Sequence, residues 1–135
     1  MAVEIAKASI DIGLVTGQID AMTEFYRDTL GLPIEGVIDM PGGARMTRLV
    51  CGTTIVKLME LPRAPAERNP PGGIPGATGI RYFTISVTNL EAAVAACDAA
   101  GANVAVPIRE SRPGVSIAMI EDPDGNWVEL LQLAE

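Results

Sequence analysis

The chain has 135 residues, of which 48% are hydrophobic and 4% aromatic, so it is long enough to bury a core and is not disordered. Ten basic and seventeen acidic residues give a net charge of −7, which argues against a nucleic-acid partner because phosphates repel an acidic surface. The sequence contains no histidine. This excludes imidazole bases, histidine-dependent triads, and zinc or iron centres with histidine ligands.

The two cysteines, Cys51 and Cys97, are too few for a disulfide framework or a zinc cluster. Residues 1–7 contain no apolar stretch of signal-peptide length, and no apolar run approaches the roughly 18 to 20 residues that cross a bilayer. We therefore expect a soluble cytoplasmic protein with reduced thiols and no membrane partner.

The first half of the chain predicts a strand, a helix and three further strands. Residues 9–15 alternate apolar with small or polar side chains, which is typical of a half-buried strand. Apolar residues then follow helical spacing from Ile19 to Leu30, and Gly31 marks the end of that helix. Glycine turns separate the next strand candidates, which are Ile34–Met40, Arg45–Cys51 and Thr54–Glu60.

Residues 62–79 hold five prolines and four glycines, a composition that is incompatible with a helix or a central strand. We interpret this segment as a linker between a first module, residues 1–61, and a second module, residues 80–135.

The second module repeats the order of the first. Residues 81–87 predict a strand, and Thr88 with Glu91 fits a capping box at the start of a helix that ends at Gly101. Residues 122–125 predict a type I turn. The later strand candidates are Val104–Arg109, Val115–Glu121 and Trp127–Leu133. The predicted fold class is therefore α+β, with two βαβββ modules forming a curved mixed sheet around a central cleft.

The two modules also match in sequence. Ile19–Ala21 corresponds to Leu90–Ala92 at an offset of 71, and Met59–Leu61 corresponds to Val128–Leu130 at an offset of 69. The second match predicts that Glu60 and Glu129 are equivalent.

Two segments in this duplicated frame, Phe25–Leu32 and Asp122–Leu130, resemble the vicinal oxygen chelate superfamily. That superfamily includes glyoxalase I, methylmalonyl-CoA epimerase, extradiol dioxygenases, and the fosfomycin and bleomycin resistance proteins. The resemblance implies the fold, and also that the protein is a dimer. It does not select a chemistry, because one fold hosts many functions.

The resemblance further implies four positions that usually hold a divalent metal in one cleft, and they fall on Asp11, Glu60, Tyr82 and Glu129. Members of the superfamily most often carry histidine where this sequence has Asp11 and Tyr82. Strand alternation independently separates Asp11 and Tyr82 from the apolar side chains of their strands. We therefore expect all four residues to line one cleft.

Two kinds of site are consistent with these residues. Asp11, Glu60 and Glu129 could hold a hard cation such as Mg²⁺, Mn²⁺ or Ca²⁺, since oxygen ligands suit such ions, whereas zinc, nickel and iron are not expected. In the alternative, which we favour, the site has no metal. The crowding of carboxylates then raises the pKa of one of them, or a nearby cation compensates them, for which Arg45, Arg48 and Lys57 lie on strands of the same module.

Two functions follow. In a glyoxalase-like lyase or isomerase, Glu129 or Glu60 would abstract a proton beside the carbonyl of a small metabolite, and Tyr82 or a bound cation would stabilise the oxyanion. In a non-catalytic sequestration protein, the carboxylates would attract a cationic ligand on which Trp127 stacks. Asp11 and Arg48 are further candidate binding residues. An extradiol dioxygenase is excluded because its iron needs two histidines. A small molecule is the expected ligand in both cases, and open sheet edges predict a homodimer.

Overall fold

The structure is a computed structural model that describes residues 2–135. The chain forms two compact units, one ending at Ala66 and the other beginning at Glu67, so the boundary falls within the predicted linker. Among residues 2–135, no helix has both the length and the apolar character needed to cross a bilayer.

The first unit contains one helical region and one four-stranded sheet. Helix α1, Ile19–Thr23, continues into a π-helical segment, Glu24–Thr29. The sheet has the strand order β1-β4-β3-β2, with β1 parallel to β4 and the other pairs antiparallel. Its strands are β1 Ile12–Val15, β2 Ile34–Asp39, β3 Arg45–Cys51 and β4 Thr54–Glu60.

The second unit has the same plan. Helix α2 spans Leu90–Ala99, and the sheet order is β5-β8-β7-β6, with β5 parallel to β8. Its strands are β5 Tyr82–Ser86, β6 Val104–Arg112, β7 Val115–Glu121 and β8 Trp127–Leu133. The predicted α+β fold class of two βαβββ modules is confirmed.

In each unit the helix packs on one side of the sheet, the helix-facing side. Parallel pairing places Ile12 beside Val56 in the first unit and Phe83 beside Val128 in the second. These pairs are equivalent, because the offset of 71 between the helix starts relates Ile12 to Phe83. The most deeply buried side chains are Tyr26, Met22, Leu49, Leu58, Ile120, Val56, Val128 and Cys97. Burying a large apolar side chain contributes about 1.5–3 kcal/mol.

The helix of the first unit differs from the regular helix predicted for it. The Leu30 N–H donates to the Phe25 carbonyl at 2.9 Å, five residues back, as in a π-helix. Phe25 and Tyr26 are adjacent in sequence, yet both are buried, with their rings edge to face at 4.9 Å. The wider π turn thus accommodates two neighbouring aromatic side chains in one core.

The predicted capping box at Thr88 and Glu91 is wrong. Asn89 occupies the cap position of α2 and makes no side-chain capping bond. Instead, the Leu90 N–H donates to Gln132 Oε1 at 2.8 Å, and Gln132 Nε2 donates to the Thr88 carbonyl at 3.2 Å. An amide from β8 supplies both an acceptor and a donor, so a residue distant in sequence replaces the local cap.

Candidate functional site

The parallel strand pairs decide which polar residues are equivalent. Gly13 on β1 is the partner of Lys57 on β4, and Thr84 on β5 is the partner of Glu129 on β8. The first pair directly follows the core pair of Ile12 and Val56, and the second directly follows the core pair of Phe83 and Val128. Because side chains alternate along a strand, both of these polar pairs face away from the core. Lys57, and not Glu60, is therefore the counterpart of Glu129. Both lie on the side of their sheet away from the helix, which we call the helix-opposite side.

The expectation that Glu60 shares a face with Asp11 and is equivalent to Glu129 is wrong. Glu60 is the partner of Arg45 on β3 and has the same alternation as buried Val56 and Leu58, so it lies on the helix-facing side. Its counterpart in the second unit is Gln132. The sequence match at an offset of 69 differs by three from the offset of 72 in the folded sheets, and an odd shift reverses the face.

Asp11 precedes β1, which is shorter than predicted, and lies on the helix-opposite side of the first unit. Lys7 Nζ donates to Asp11 Oδ1 at 2.5 Å, the Ile55 N–H donates to the same oxygen at 2.8 Å, and Lys57 Nζ lies 3.9 Å from Oδ2. The hydrogen bond from Lys7, followed by that from Ile55, lowers the pKa of Asp11 below its ordinary value. Two lysines therefore compensate this carboxylate.

Arg48 lies on the same side of the first sheet as Asp11, as partner of Lys57 across β3 and β4. Its Nε donates to Glu35 Oε1 at 3.0 Å, and its Nη1 is 3.8 Å from Met46 Sδ. Asp11 and Arg48 therefore lie on the same side of the first sheet, while their role in binding stays a prediction. Lys57 also lies on this side, and its ion pair with Asp11 agrees with the expectation that a nearby cation compensates the carboxylates.

The helix-opposite side of the second unit carries Tyr82, Thr84, Trp127 and Glu129. Tyr82 is the partner of Trp127 and is 44% exposed. Thr84 Oγ1 donates to Glu129 Oε1 at 2.8 Å, and buried Met119 is the partner of Glu129 on the other flank. Among residues 2–135, no cation forms an ion pair with Glu129. This surface therefore combines aromatic rings, a thioether and an uncompensated carboxylate.

Trp127 is held in place by residues that sequence reasoning missed. Its Nε1 donates to Glu121 Oε1 at 2.7 Å, and Asn103 Nδ2 donates to Glu121 Oε2 at 2.9 Å. Gly73, at φ +59°, approaches the indole so closely that a Cβ there would lie 2.1 Å from Trp127 Cζ2. The neighbouring glycines indicate a turn, but no sequence signal points to the indole.

Arg81 fixes the proline- and glycine-rich segment around Trp127. Its Nε donates to the Gly73 carbonyl at 2.7 Å, and its Nη2 donates to the Pro70 carbonyl at 2.9 Å. Asn69 Nδ2 also donates to Asn126 Oδ1 at 3.1 Å. We call residues 69–76 the strap.

The superfamily resemblance implies a divalent metal, and the residues at the equivalent positions do not fit one. The first unit supplies Asp11 and Lys57, and the second supplies Tyr82 and Glu129. An ammonium group at a ligand position repels a divalent ion, and Asp11 is already compensated by lysines. Within the described part of the chain, no group of three or more acidic or cysteine side chains is arranged to hold a metal ion.

The two cysteines lie apart from these surfaces. Cys51 ends β3 and Cys97 lies in the buried part of α2, and both are free thiols. Burial raises the pKa of each thiol, so neither is activated as a nucleophile.

The sequence profile of the Glyoxalase/Bleomycin resistance protein/Dioxygenase superfamily matches residues 9–130. The chain therefore belongs to that superfamily. None of the proteins with curated functions matches this sequence.

Solved structures show the same fold. A glyoxalase family protein from Bacillus cereus is 16% identical, with a TM-score of 0.83 over 100% of this chain and 99% of that one. The trypanothione-dependent glyoxalase I of Leishmania major is 22% identical, with a TM-score of 0.66 over 90% and 84% of the chains. TnmS3, an antibiotic binding protein from Streptomyces sp. CB03234, is 20% identical, with a TM-score of 0.69 over 99% of both. At sequence identities this low, the structural similarity shows that the fold is shared and nothing more.

Proposed function

We propose that this protein binds a small organic molecule on the helix-opposite side of its second unit, with Glu129 as the polar anchor. The observation that carries the proposal is the carboxylate of Glu129, which is bonded to the Thr84 hydroxyl and forms no ion pair within residues 2–135. Apolar and aromatic neighbours around a few polar groups are typical of small-molecule sites.

The ligand that this surface favours carries a cationic group beside an aromatic or aliphatic ring. The cation would pair with Glu129, and the ring would contact Tyr82 and Trp127. Trp127 is oriented by Glu121 and the strap, so it presents a fixed surface and loses little freedom on binding. The fold relative that binds an antibiotic supports the choice of antibiotics as the first compounds to test, and Glu129 favours cationic ones.

Binding can be measured through the fluorescence of Trp127, since the chain has one tryptophan. Titration with bleomycin as the cationic probe should change the emission with a saturable curve. Glu129→Gln should weaken binding about tenfold or more through the loss of a charge-assisted hydrogen bond. Glu67→Gln, an exposed control in the same unit, should bind as the unaltered protein does. If Glu129→Gln keeps the fold and the affinity for every cationic probe that binds, the proposal fails.

Proton abstraction by Glu129 is a second candidate function. It is favoured by the Thr84 hydrogen bond, which orients the carboxylate, and by Tyr82, whose phenol lies on the same side of the sheet. Glu129 would take a proton from carbon beside a carbonyl, the C–H electron pair would move to form the enolate, and Tyr82 would donate a hydrogen bond to its oxygen.

This second candidate is tested by proton exchange in D₂O. Loss of the α-carbon proton signal of dihydroxyacetone, followed by NMR, should be accelerated by the protein and not by Glu129→Gln. A rate equal to that of buffer, with dihydroxyacetone and with other small hydroxycarbonyl compounds, would leave binding as the better account.

We also propose that the protein is a homodimer. Strand β2 is an edge of its sheet, and it exposes the large apolar side chains of Ile34, Val37 and Ile38. Open apolar edges favour pairing with another chain. Light scattering should give twice the chain mass of 14.1 kDa. Ile38→Lys should reduce the mass toward that of one chain, whereas Ile5→Lys, at another exposed isoleucine, should not.

A further inference from the structure

The first unit contains a cavity of about 530 Å³ on the helix-facing side of its sheet. Glu60, Arg45 and Thr47 line it from the strands, and Asp20 and Glu24 line it from the helical region. It lies on the other side of the sheet from Asp11 and Lys57, and it has no part in the function proposed above. We call it the first-unit cavity.

The second unit has a cavity of similar size at the equivalent place, and the two differ in one decisive residue. In the second unit, Gln132 lines the cavity while its amide caps α2 through Leu90 and Thr88. In the first unit the equivalent residue is Glu60, whose carboxylate makes no hydrogen bond or ion pair within residues 2–135. The position that caps helix α2 in the second unit thus carries, in the first unit, a carboxylate without a hydrogen-bond or ion-pair partner in the described part of the chain.

The start of α1 is ordered without Glu60. The Gln18 N–H donates to Thr16 Oγ1 at 3.0 Å, and the Thr16 side chain is buried. This local turn orders the residue before α1 without a hydrogen bond from the Glu60 side chain. Glu60 is therefore available to bind something that enters the cavity.

Thr47 supplies a second and independent sign of a ligand. It is 7% exposed, it lines the first-unit cavity, and its hydroxyl has no hydrogen-bond partner within the part of the chain that the structure describes. The Thr47 hydroxyl is not fully enclosed, so a ligand in the cavity can reach it and donate a hydrogen bond.

The charges of the cavity select the kind of ligand. Arg27 pairs with Asp28 at 2.8 Å, and Arg45 pairs with Asp39 at 3.3 Å, so both cations are compensated. Asp20 and Glu60 have no such partner within residues 2–135. These carboxylates are not clustered tightly enough to hold a metal ion, and the cavity has the size of a small-molecule site.

We propose that the first-unit cavity binds a small organic cation with at least two amino groups, of the polyamine class. One ammonium group pairs with Glu60, another lies near Asp20 and Glu24, and Thr47 Oγ1 accepts a hydrogen bond from the chain of the ligand. Spermidine is the probe to use, because it carries several ammonium groups joined by flexible aliphatic chains.

The experiment is isothermal titration of the full chain with spermidine, together with NMR of the backbone amides. Glu60→Gln should weaken binding about tenfold or more, and Thr47→Val should weaken it severalfold. Glu60→Gln should fold normally, since the second unit already carries glutamine at the equivalent position. The matched control is Glu110→Gln, which removes the same charge from the second-unit cavity and should leave the affinity unchanged.

The expected NMR result is a set of shifts confined to the residues around Thr47 and Glu60. Equal weakening by Glu60→Gln and Glu110→Gln would overturn the proposal, since it would indicate attraction to the net negative charge alone. Absence of saturable binding at low salt would overturn it as well. Neither outcome bears on Glu129, which lies in the other unit.

Discussion

The first and second units carry apolar side chains at equivalent positions of their paired strands. Ile12 and Val56 in the first unit are equivalent to Phe83 and Val128 in the second. Their polar positions differ, however. Lys57 occupies the place of Glu129, and Glu60 occupies the place of Gln132. Packing requires an apolar side chain at each core position, whereas a surface or cavity position tolerates many side chains.

A duplicated fold therefore does not imply a duplicated site. On the helix-opposite side, the first unit carries compensated charges around Asp11, and the second carries Glu129, which is hydrogen-bonded to Thr84 and forms no ion pair within residues 2–135. On the helix-facing side the situation is reversed. Glu60 in the first unit has no hydrogen-bond or ion-pair partner within residues 2–135, whereas Gln132 in the second unit is hydrogen-bonded to Leu90 and Thr88. The two surfaces that we propose for ligands therefore lie on the helix-opposite side in the second unit and on the helix-facing side in the first.

The largest expected effect tests the shared core. Leu58 and Leu130 are equivalent and are 0% and 2% exposed. Leu58→Ala and Leu130→Ala should each lower the free energy of unfolding by about 2–5 kcal/mol, because each leaves a cavity. Urea unfolding measures this loss. A loss well below that range in one unit alone would show that the two cores are not equivalent.

The next effect concerns the strap, which exists only beside the second sheet. Gly73→Ala places a Cβ against Trp127 and strains a backbone at φ +59°, so it should cost about 2–3 kcal/mol and shift the tryptophan emission. Gly79→Ala also has a positive φ but meets no atom within 4 Å. It should cost about 1 kcal/mol and leave the emission unchanged. Identical emission in both variants would contradict the described contact.

A smaller effect separates Gln132 from Glu60. Gln132→Ala removes the cap of α2 and should cost about 1 kcal/mol, with faster amide exchange at Leu90. Glu60→Ala removes no capping bond and should change the stability by less than about 0.5 kcal/mol. Thermal unfolding and hydrogen exchange of the two variants measure this contrast. A greater loss of stability in Glu60→Ala would mean that Glu60 has a structural role.

The smallest effect is the pH dependence of Asp11. Its pKa is lowered in the folded state, chiefly by Lys7, so its stabilising contribution is present above the ordinary value of 3.8 and is lost as the pH falls through the folded pKa. Asp11→Asn should therefore melt slightly below the unaltered protein at pH 7, and the difference should vanish in acid. Tyr82→Phe, at the equivalent position, should show no such convergence. A pH-independent difference for Asp11→Asn would contradict the ion pair with Lys7.

Much of the fold could be predicted from local sequence. Alternating apolar residues and glycine turns gave the bounds of β3, β4, β7 and β8 as the structure has them. The predicted turn at residues 122–125 is confirmed by the Gly125 N–H, which donates to the Asp122 carbonyl at 2.9 Å. These features depend on residues that are close in sequence, and so their signals are visible without a tertiary structure.

The candidate site could be predicted only in part. Alternation along one strand correctly put Trp127 and Glu129 on the same side, while the roles of these residues in binding or catalysis stay predictions. The strap around Trp127 and the cap from Gln132 join residues far apart in sequence, and no local pattern indicates either contact.

The sequence by itself determined the order of strands and helices, the division into two similar modules, and the absence of imidazole chemistry. Only the tertiary structure decided which face each acidic residue occupies. The reason is physical, because the pairing of β1 with β4 fixes the register, and side chains reverse face with every residue along a strand. The sequence match relates Glu60 to Glu129 at an offset of 69, whereas the strand pairing gives an offset of 72. Because the difference of three is odd, Glu60 lies on the helix-facing side, and Lys57 occupies the position equivalent to Glu129.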